Sequence, residues 1–133
     1  VSIPLPAITS VTAPFWDACR RGVLQVQRCR QCGYQTFPAD VACNRCLSPD
    51  LDWSACTGIG ILKSYSIVQR SSQPAFAVPY LAAIVQLDEG WSLFTNLIRC
   101  KPDEAKLGMS VKVKFVRMSP EITLPYFAPV SVE

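Results

Sequence analysis

Histidine is absent from this 133-residue chain. Without an imidazole there is no ordinary base for neutral pH, so a Ser-His or Cys-His dyad is excluded within it. The serines follow no nucleophile-elbow pattern. Long apolar runs are also missing: the longest, Ala75 to Leu87, is interrupted by Pro79 and falls short of a bilayer span. Charge of one sign is scarce, with 13 Lys and Arg against 10 Asp and Glu. The segment Val1 to Pro14 has no positive charge and carries three prolines, unlike a secretory signal. These features point to a reducing, cytoplasmic setting. A first residue that is valine is expected of a processed chain or a piece of a longer polypeptide.

Cysteine, by contrast, is plentiful: there are seven, and four of them form Cys29-x2-Cys32 and Cys43-x2-Cys46. Each pair can close a tight knuckle that points both sulfurs the same way, so the two pairs can wrap four thiolates around one metal. Two disulfides are the alternative, which the odd count and the compartment disfavour. Zinc is the default ion for four thiolates, and rubredoxin-type iron is the runner-up. Four protein ligands leave no open position, so the metal is expected to be structural. Such a site is worth about 10–16 kcal/mol in finger peptides, which a ribbon too small to bury its own core needs. A metal tetrathiolate carries about −2, reducing the formal charge of +3 to about +1, too little for a dedicated duplex-DNA binder.

Gly33 can supply the backbone angles that bring amides to the sulfurs, whereas Leu47-Ser48 after the second pair is a less specific turn. Arg28, Arg30 and Arg45 can offset the thiolate charge or contact nucleic acid. Cys19, Cys56 and Cys100 lack activating neighbours and read as small buried hydrophobes. Asp88 and Glu89 read as solvated turn residues.

The chain is expected to be mostly β, with a short N-terminal helix, a four-Cys ribbon and a five-stranded barrel. Thr12 to Gly22 has helix signals in order: Thr12 or Ala13 as cap, Pro14 at the first position, Asp17 in the first turns, Arg20 and Arg21 in the last, and Gly22 to end it. Phe15, Trp16 and Cys19 share a face that packs on the ribbon or on a partner. Leu24 to Arg28 enters the first knuckle, and Leu51-Asp52-Trp53 leads out of a three-stranded ribbon. Five strands follow. Gly58 to Gln69 places Ile59, Ile61, Tyr65 and Ile67 on one face; Tyr80 to Leu87 and Trp91 to Ile98 flank a turn. After a polar connection over Pro102 to Gly108, Ser110 to Met118 alternates with Val111, Val113 and Phe115 inward. Pro125 marks Ile122 to Phe127 as an edge or a bulge. Five strands of this spacing suit an OB-type barrel. The division expected is 1–23 for the extension and helix, 24–56 for the ribbon and 57–133 for the OB-fold.

An ordered set of motifs then resembles a known family. Pro14-Phe15-Trp16, Cys29-x2-Cys32-Gly33, Phe37-Pro38, Cys43-x2-Cys46 and Trp53 continue into Gly58-x-Gly60, Ser64-Tyr65-Ser66, Pro79-Tyr80 and Leu87-Asp88-Glu89-Gly90. This is similar to the OB-fold acyl-CoA-associated proteins, which join a rubredoxin-like zinc ribbon to an OB-fold, and the likeness covers roughly Pro14 to Pro129. The resemblance implies a non-catalytic subunit or domain beside thiolase-superfamily enzymes, such as acyltransferases or the lipid-transfer-protein-type aldolases of steroid side-chain breakdown, or one fused to a hot-dog-fold hydratase. It carries over the four cysteines as ligands of one zinc; acyl-CoA is a ligand of the complex rather than an assigned ligand of this chain.

Partner or acyl-CoA contacts are expected at Phe15, Trp16, Arg70, Phe76, Val78 and Tyr80. The connection over Arg70 to Tyr80 has four consecutive apolar residues at its centre, which a loop spanning only solvent does not need. The competing reading is a single-stranded nucleic-acid binder, with Lys63, Arg70, Lys112, Lys114 and Arg117 beside Tyr65, Phe76 and Trp91 in a basic aromatic groove.

Overall fold

A computed structural model describes residues 5–69 and 79–130, so Arg70, Phe76 and Val78 lie outside the described residues. Helix α1 (Ala13–Arg20) opens the fold. Thr12 occupies its N-cap, but its hydroxyl bonds back to Thr9 and caps no helical amide. Pro14 in the first turn lacks an N–H that would need a cap, so the helix starts without one. Asp17 takes hydrogen bonds from Arg20 at 2.8 Å and Arg21 at 3.2 Å, and the Arg20 bond holds its carboxyl below the usual range.

Three strands make the ribbon: β1 (Leu24–Cys29), β2 (Gln35–Thr36) and β3 (Leu51–Cys56), ordered β2-β1-β3 and antiparallel. Five more close a barrel: β4 (Ile59–Val68), β5 (Tyr80–Leu87), β6 (Ser92–Leu97), β7 (Ser110–Arg117) and β8 (Thr123–Pro129). The barrel order is β4-β5-β6-β8-β7, with a short 3-10 turn at Pro102–Glu104 carrying the chain between β6 and β7. Closure depends on one parallel contact, Leu97 against Phe127, where the Ile98 amide donates to the Phe127 carbonyl at 2.7 Å. Beyond it β6 and β8 separate, and the Thr95 hydroxyl bridges to the Pro125 carbonyl at 2.8 Å. Pro125, without an amide hydrogen, therefore stands at a locally unladdered edge, as its chemistry requires.

The expected single face of β4 is split. A bulge between Leu62 and Ser64 inserts Lys63 and shifts the register. Before it, Gly60 and Leu62 point inward while Ile59 and Ile61 are exposed; after it, Tyr65 and Ile67 pair with the buried Ala83 and Leu81. An extra residue reverses side-chain parity, so simple alternation across Lys63 fails. Gly60 is held to glycine by space: a Cβ there would sit 2.4 Å from the Gln86 carbonyl oxygen.

Cross-strand pairing sets out the outer face of this sheet. Ser64–Ile84–Phe94, Ser66–Ala82–Asn96 and Ile61–Gln86–Ser92 run as three rows across β4, β5 and β6. The inner face carries Leu62, Leu81, Val85, Leu87, Leu93 and Leu97, packed with Val111 and Phe127.

One core joins the parts. Phe15 and Cys19 of α1 and Leu24 and Val26 of β1 belong to the same buried cluster as the barrel residues. The aromatic series Trp16, Phe15, Phe37, Trp91 has successive centroid separations of 5.0, 5.4 and 5.0 Å, running from helix through ribbon to barrel. Helix α1 thus packs on β1 and also on β7 and β8, a wider footing than the ribbon alone. Among the described residues no helix is long and apolar enough to cross a membrane.

Candidate metal centre

Both knuckles are built the same way. The Cys29 sulfur accepts from the amides of Gln31 and Cys32 at 3.3 and 3.5 Å, and the Cys43 sulfur from those of Arg45 and Cys46 at 3.3 and 3.4 Å. Each turn closes with an amide four residues on: Gly33 to the Cys29 carbonyl and Leu47 to the Cys43 carbonyl, both 2.9 Å. Gly33 has φ 79° and Leu47 φ 65°. Leu47 therefore adopts the backbone that Gly33 adopts freely, so the second turn is as specific as the first. The amide geometry decides the conformation and the leucine bears the strain. Its side chain is 76% exposed and packs little. Leu47→Gly is expected to raise stability by about 1 kcal/mol, a melting shift of roughly 3–5 °C. Thermal unfolding checks this; an unchanged or lower midpoint speaks against strain at Leu47.

All four sulfurs lie within 4.8 Å of one another, with Cys29–Cys46 at 3.5 Å and Cys32–Cys43 at 3.6 Å. A tetrahedral site with metal–sulfur bonds of 2.3 Å has edges of about 3.8 Å, so the cluster already has the dimensions of one. Electrostatics agree. The Cys32 amide is the main influence lowering the Cys29 thiol. Burial opposes ionisation of Cys43, but the amides of Cys46 and Arg45 outweigh it and bring that thiol down to about 6. Cys46 receives the lowering Ser48 amide, yet crowding by Cys29 and the other sulfurs pushes it up to about 12. Four thiolates this close ionise together only around a cation. The four cysteines are positioned to bind a metal.

Of the nearby arginines, Arg30 turns to Asp50 at 3.5 Å and Asp52 at 3.4 Å, so carboxylates rather than sulfurs take its charge. The remaining thiols are quiet. Cys19 is fully buried and pushed up to about 12 by that burial. Cys56 and Cys100 are half-buried rather than buried, and both are raised, first by burial. The indole N–H of Trp91 donates to the Cys56 sulfur at 3.3 Å.

Glu89 departs from its reading as a solvated turn residue. Its Oε2 accepts from the Thr57 amide at 3.0 Å and its carbonyl from the Gln35 side chain at 2.7 Å, while Oε1 is buried with no hydrogen-bond partner among the described residues. The residue clasps ribbon to barrel because the amide at that joint needs an acceptor.

An apolar cleft of about 340 Å³ opens where β6 and β8 part, under Trp16, Phe37 and Pro38. Phe15, 5% exposed, and half-buried Trp16 both line it. A second groove of about 490 Å³ runs over β4 and β5 and includes Tyr80. Phe94 and Asn96 line both. Phe94, 72% exposed, was not singled out from the sequence. Its signal was an aromatic out of phase with Leu93, Thr95 and Leu97. Among the described residues the basic aromatic groove does not assemble: Trp91 is in the core, and the Tyr65 hydroxyl donates to the Ala105 carbonyl at 3.2 Å.

Fold and site together define a four-cysteine metal ribbon fused through a common core to an OB barrel. Residues 16–52 match the family described as ChsH2, rubredoxin-like zinc ribbon domain, and residues 53–116 match the ChsH2, C-terminal OB-fold domain. The chain belongs to this ChsH2/DUF35 family. It is 37% identical over 95% of its length to the "Probable enoyl-CoA hydratase alpha subunit" of Thermomonospora curvata, of which it spans 40%. It is 30% identical over 71% of its length to a DUF35 domain-containing scaffold protein of Methanothermobacter thermautotrophicus, covering 72% of that protein. Among solved structures, a chain of the Ltp2-ChsH2(DUF35) aldolase superposes with a TM-score of 0.86 at 37% identity, covering 94% of this chain and 98% of that one.

Proposed function

We propose that the chain is a zinc-held, non-catalytic subunit or domain that docks on and supports a thiolase-superfamily acyl-CoA enzyme, an aldolase of the lipid-transfer-protein type or an acyltransferase. The observation that carries this reading is the likeness, over nearly its whole length, to one chain of a two-component aldolase. The similarity to a hydratase alpha subunit and to a scaffold protein favours the same class, with acyl-CoA chemistry done beside this chain. Zinc fits the tetrathiolate better than harder cations do, and its four protein ligands leave no position for substrate. The resemblance extends the proposal to steroid side-chain degradation.

The chain's own chemistry supports a supporting role. It lacks histidine, and its three non-cluster thiols have raised pKa values, so neither an imidazole nor a thiolate outside the cluster serves as base or nucleophile at neutral pH. Steady-state assays of the isolated protein are expected to show no aldolase, thiolase or hydratase turnover of acyl-CoA thioesters. Robust turnover by this chain alone would overturn the reading.

A further inference from the structure

We infer that the outer face of β4–β5–β6, centred on Phe94, is the surface that seats the partner enzyme subunit. The inference rests on the proposed partner role and adds where contact is made. Its warrant is the absence of charge. The three cross-strand rows comprise nine outward positions, and none is Asp, Glu, Lys or Arg, although such residues make up 17% of the chain. Solvated sheet faces carry charges; faces that become buried shed them, because an unpaired buried charge costs several kcal/mol. On β7, which closes the barrel against the start of β4, Lys112 pairs with Ile59 and Ala128, and Lys114 stands opposite Tyr126, so both lie outside the three rows. Lys63 is confined to the bulge.

Shape selects the occupant. Phe94 and Asn96 form a ridge between the 340 Å³ cleft and the 490 Å³ groove, and neither depression is lined by a charged residue among the described ones. A single small molecule would fill one depression and leave the other, with that side of Phe94, in water. Among the described residues, neither lining offers a cation to a phosphate-bearing strand. A protein face that straddles the ridge fills both and removes Phe94 from solvent, the arrangement of an aromatic anchor in a central contact. Charge complementarity then requires that the partner's surface also be uncharged and apolar where it meets the ridge. Beside the ridge Ile84, 40% exposed and directly paired with Phe94, widens the anchor.

The experiment uses the complex as it exists. A tagged chain is expressed in the native host, the co-purifying enzyme subunit is identified by mass spectrometry, and its affinity is measured for the wild type and for Phe94→Lys, Ile84→Ser and Lys114→Glu. Phe94→Lys is expected to weaken binding about 30-fold or more and Ile84→Ser about fivefold, with unchanged melting of the free chains. Lys114→Glu is expected to bind within about twofold of wild type, and raising salt from about 50 to 500 mM to change affinity less than about threefold. Unchanged binding by both Phe94→Lys and Ile84→Ser, a loss confined to Lys114→Glu, or a steep salt dependence would overturn the surface while leaving the partner role standing. Loss of self-association instead of subunit binding would assign the face to a second copy and overturn it too. If no acyl-CoA-processing subunit co-purifies, the partner role and the surface fall together.

Discussion

Replacing Cys43 and Cys46 together by serine is expected to release the metal and unfold more than the ribbon. Structural zinc contributes about 10–16 kcal/mol in finger peptides, as much as the whole stability of an ordinary domain. The knuckles otherwise hold their sulfurs with amide hydrogen bonds of 3.3–3.5 Å on turns whose side chains are largely exposed. Leu24, Val26 and Phe15 share their core with the barrel, so the loss should spread into it and leave a chain without a sharp thermal transition. Metal analysis together with calorimetry checks this. Full zinc occupancy in the double variant, or a barrel transition that keeps its midpoint, would contradict it.

Trp91→Ala is expected to have the next largest effect. Trp91 is 6% exposed, lies against Phe37 at a centroid distance of 5.0 Å, and gives its indole N–H to Cys56. Its removal empties the place where ribbon and barrel meet, and large-to-small changes of this kind cost about 3–5 kcal/mol. For a chain of this size the melting point should fall by roughly 10–20 °C. The form of the transition is the sharper test. A common core predicts one cooperative transition in wild type and variant alike, followed equally by metal release and by loss of barrel signal. Two separate transitions, with only the barrel's displaced, would show that the ribbon folds by itself.

How far these features could be read beforehand depended on whether their cause is local. The knuckles, the helix and the strands follow from short spacings, so Cys29-x2-Cys32, Pro14 to Arg20 and the alternation of β7 were legible. Pro125 was read as an edge or a bulge, and the parting of β6 from β8 there shows the edge. Features set by distant pairing were not. The bulge at Lys63 depends on the register with β5, and it turned Ile59 and Ile61 outward where alternation placed them with Tyr65. Leu47 looked like an ordinary turn residue because its strain comes from the carbonyl it must reach, not from its own preference. The joint made by Glu89 and Trp91 to Thr57 and Cys56 spans 32 and 35 residues, beyond any motif. Phe94 was visible as an apolar residue at an outward strand position, yet its weight came only from its uncharged neighbours on two other strands.

The central claim, that this chain is a metal-held docking component of an acyl-CoA enzyme, is tested most directly by native mass spectrometry of the assembly isolated from its own host. The predicted result is a complex of fixed stoichiometry in which each copy of this chain carries one zinc and is bound to a subunit of thiolase fold. A chain that runs alone, or that arrives with single-stranded nucleic acid and no such subunit, would contradict it.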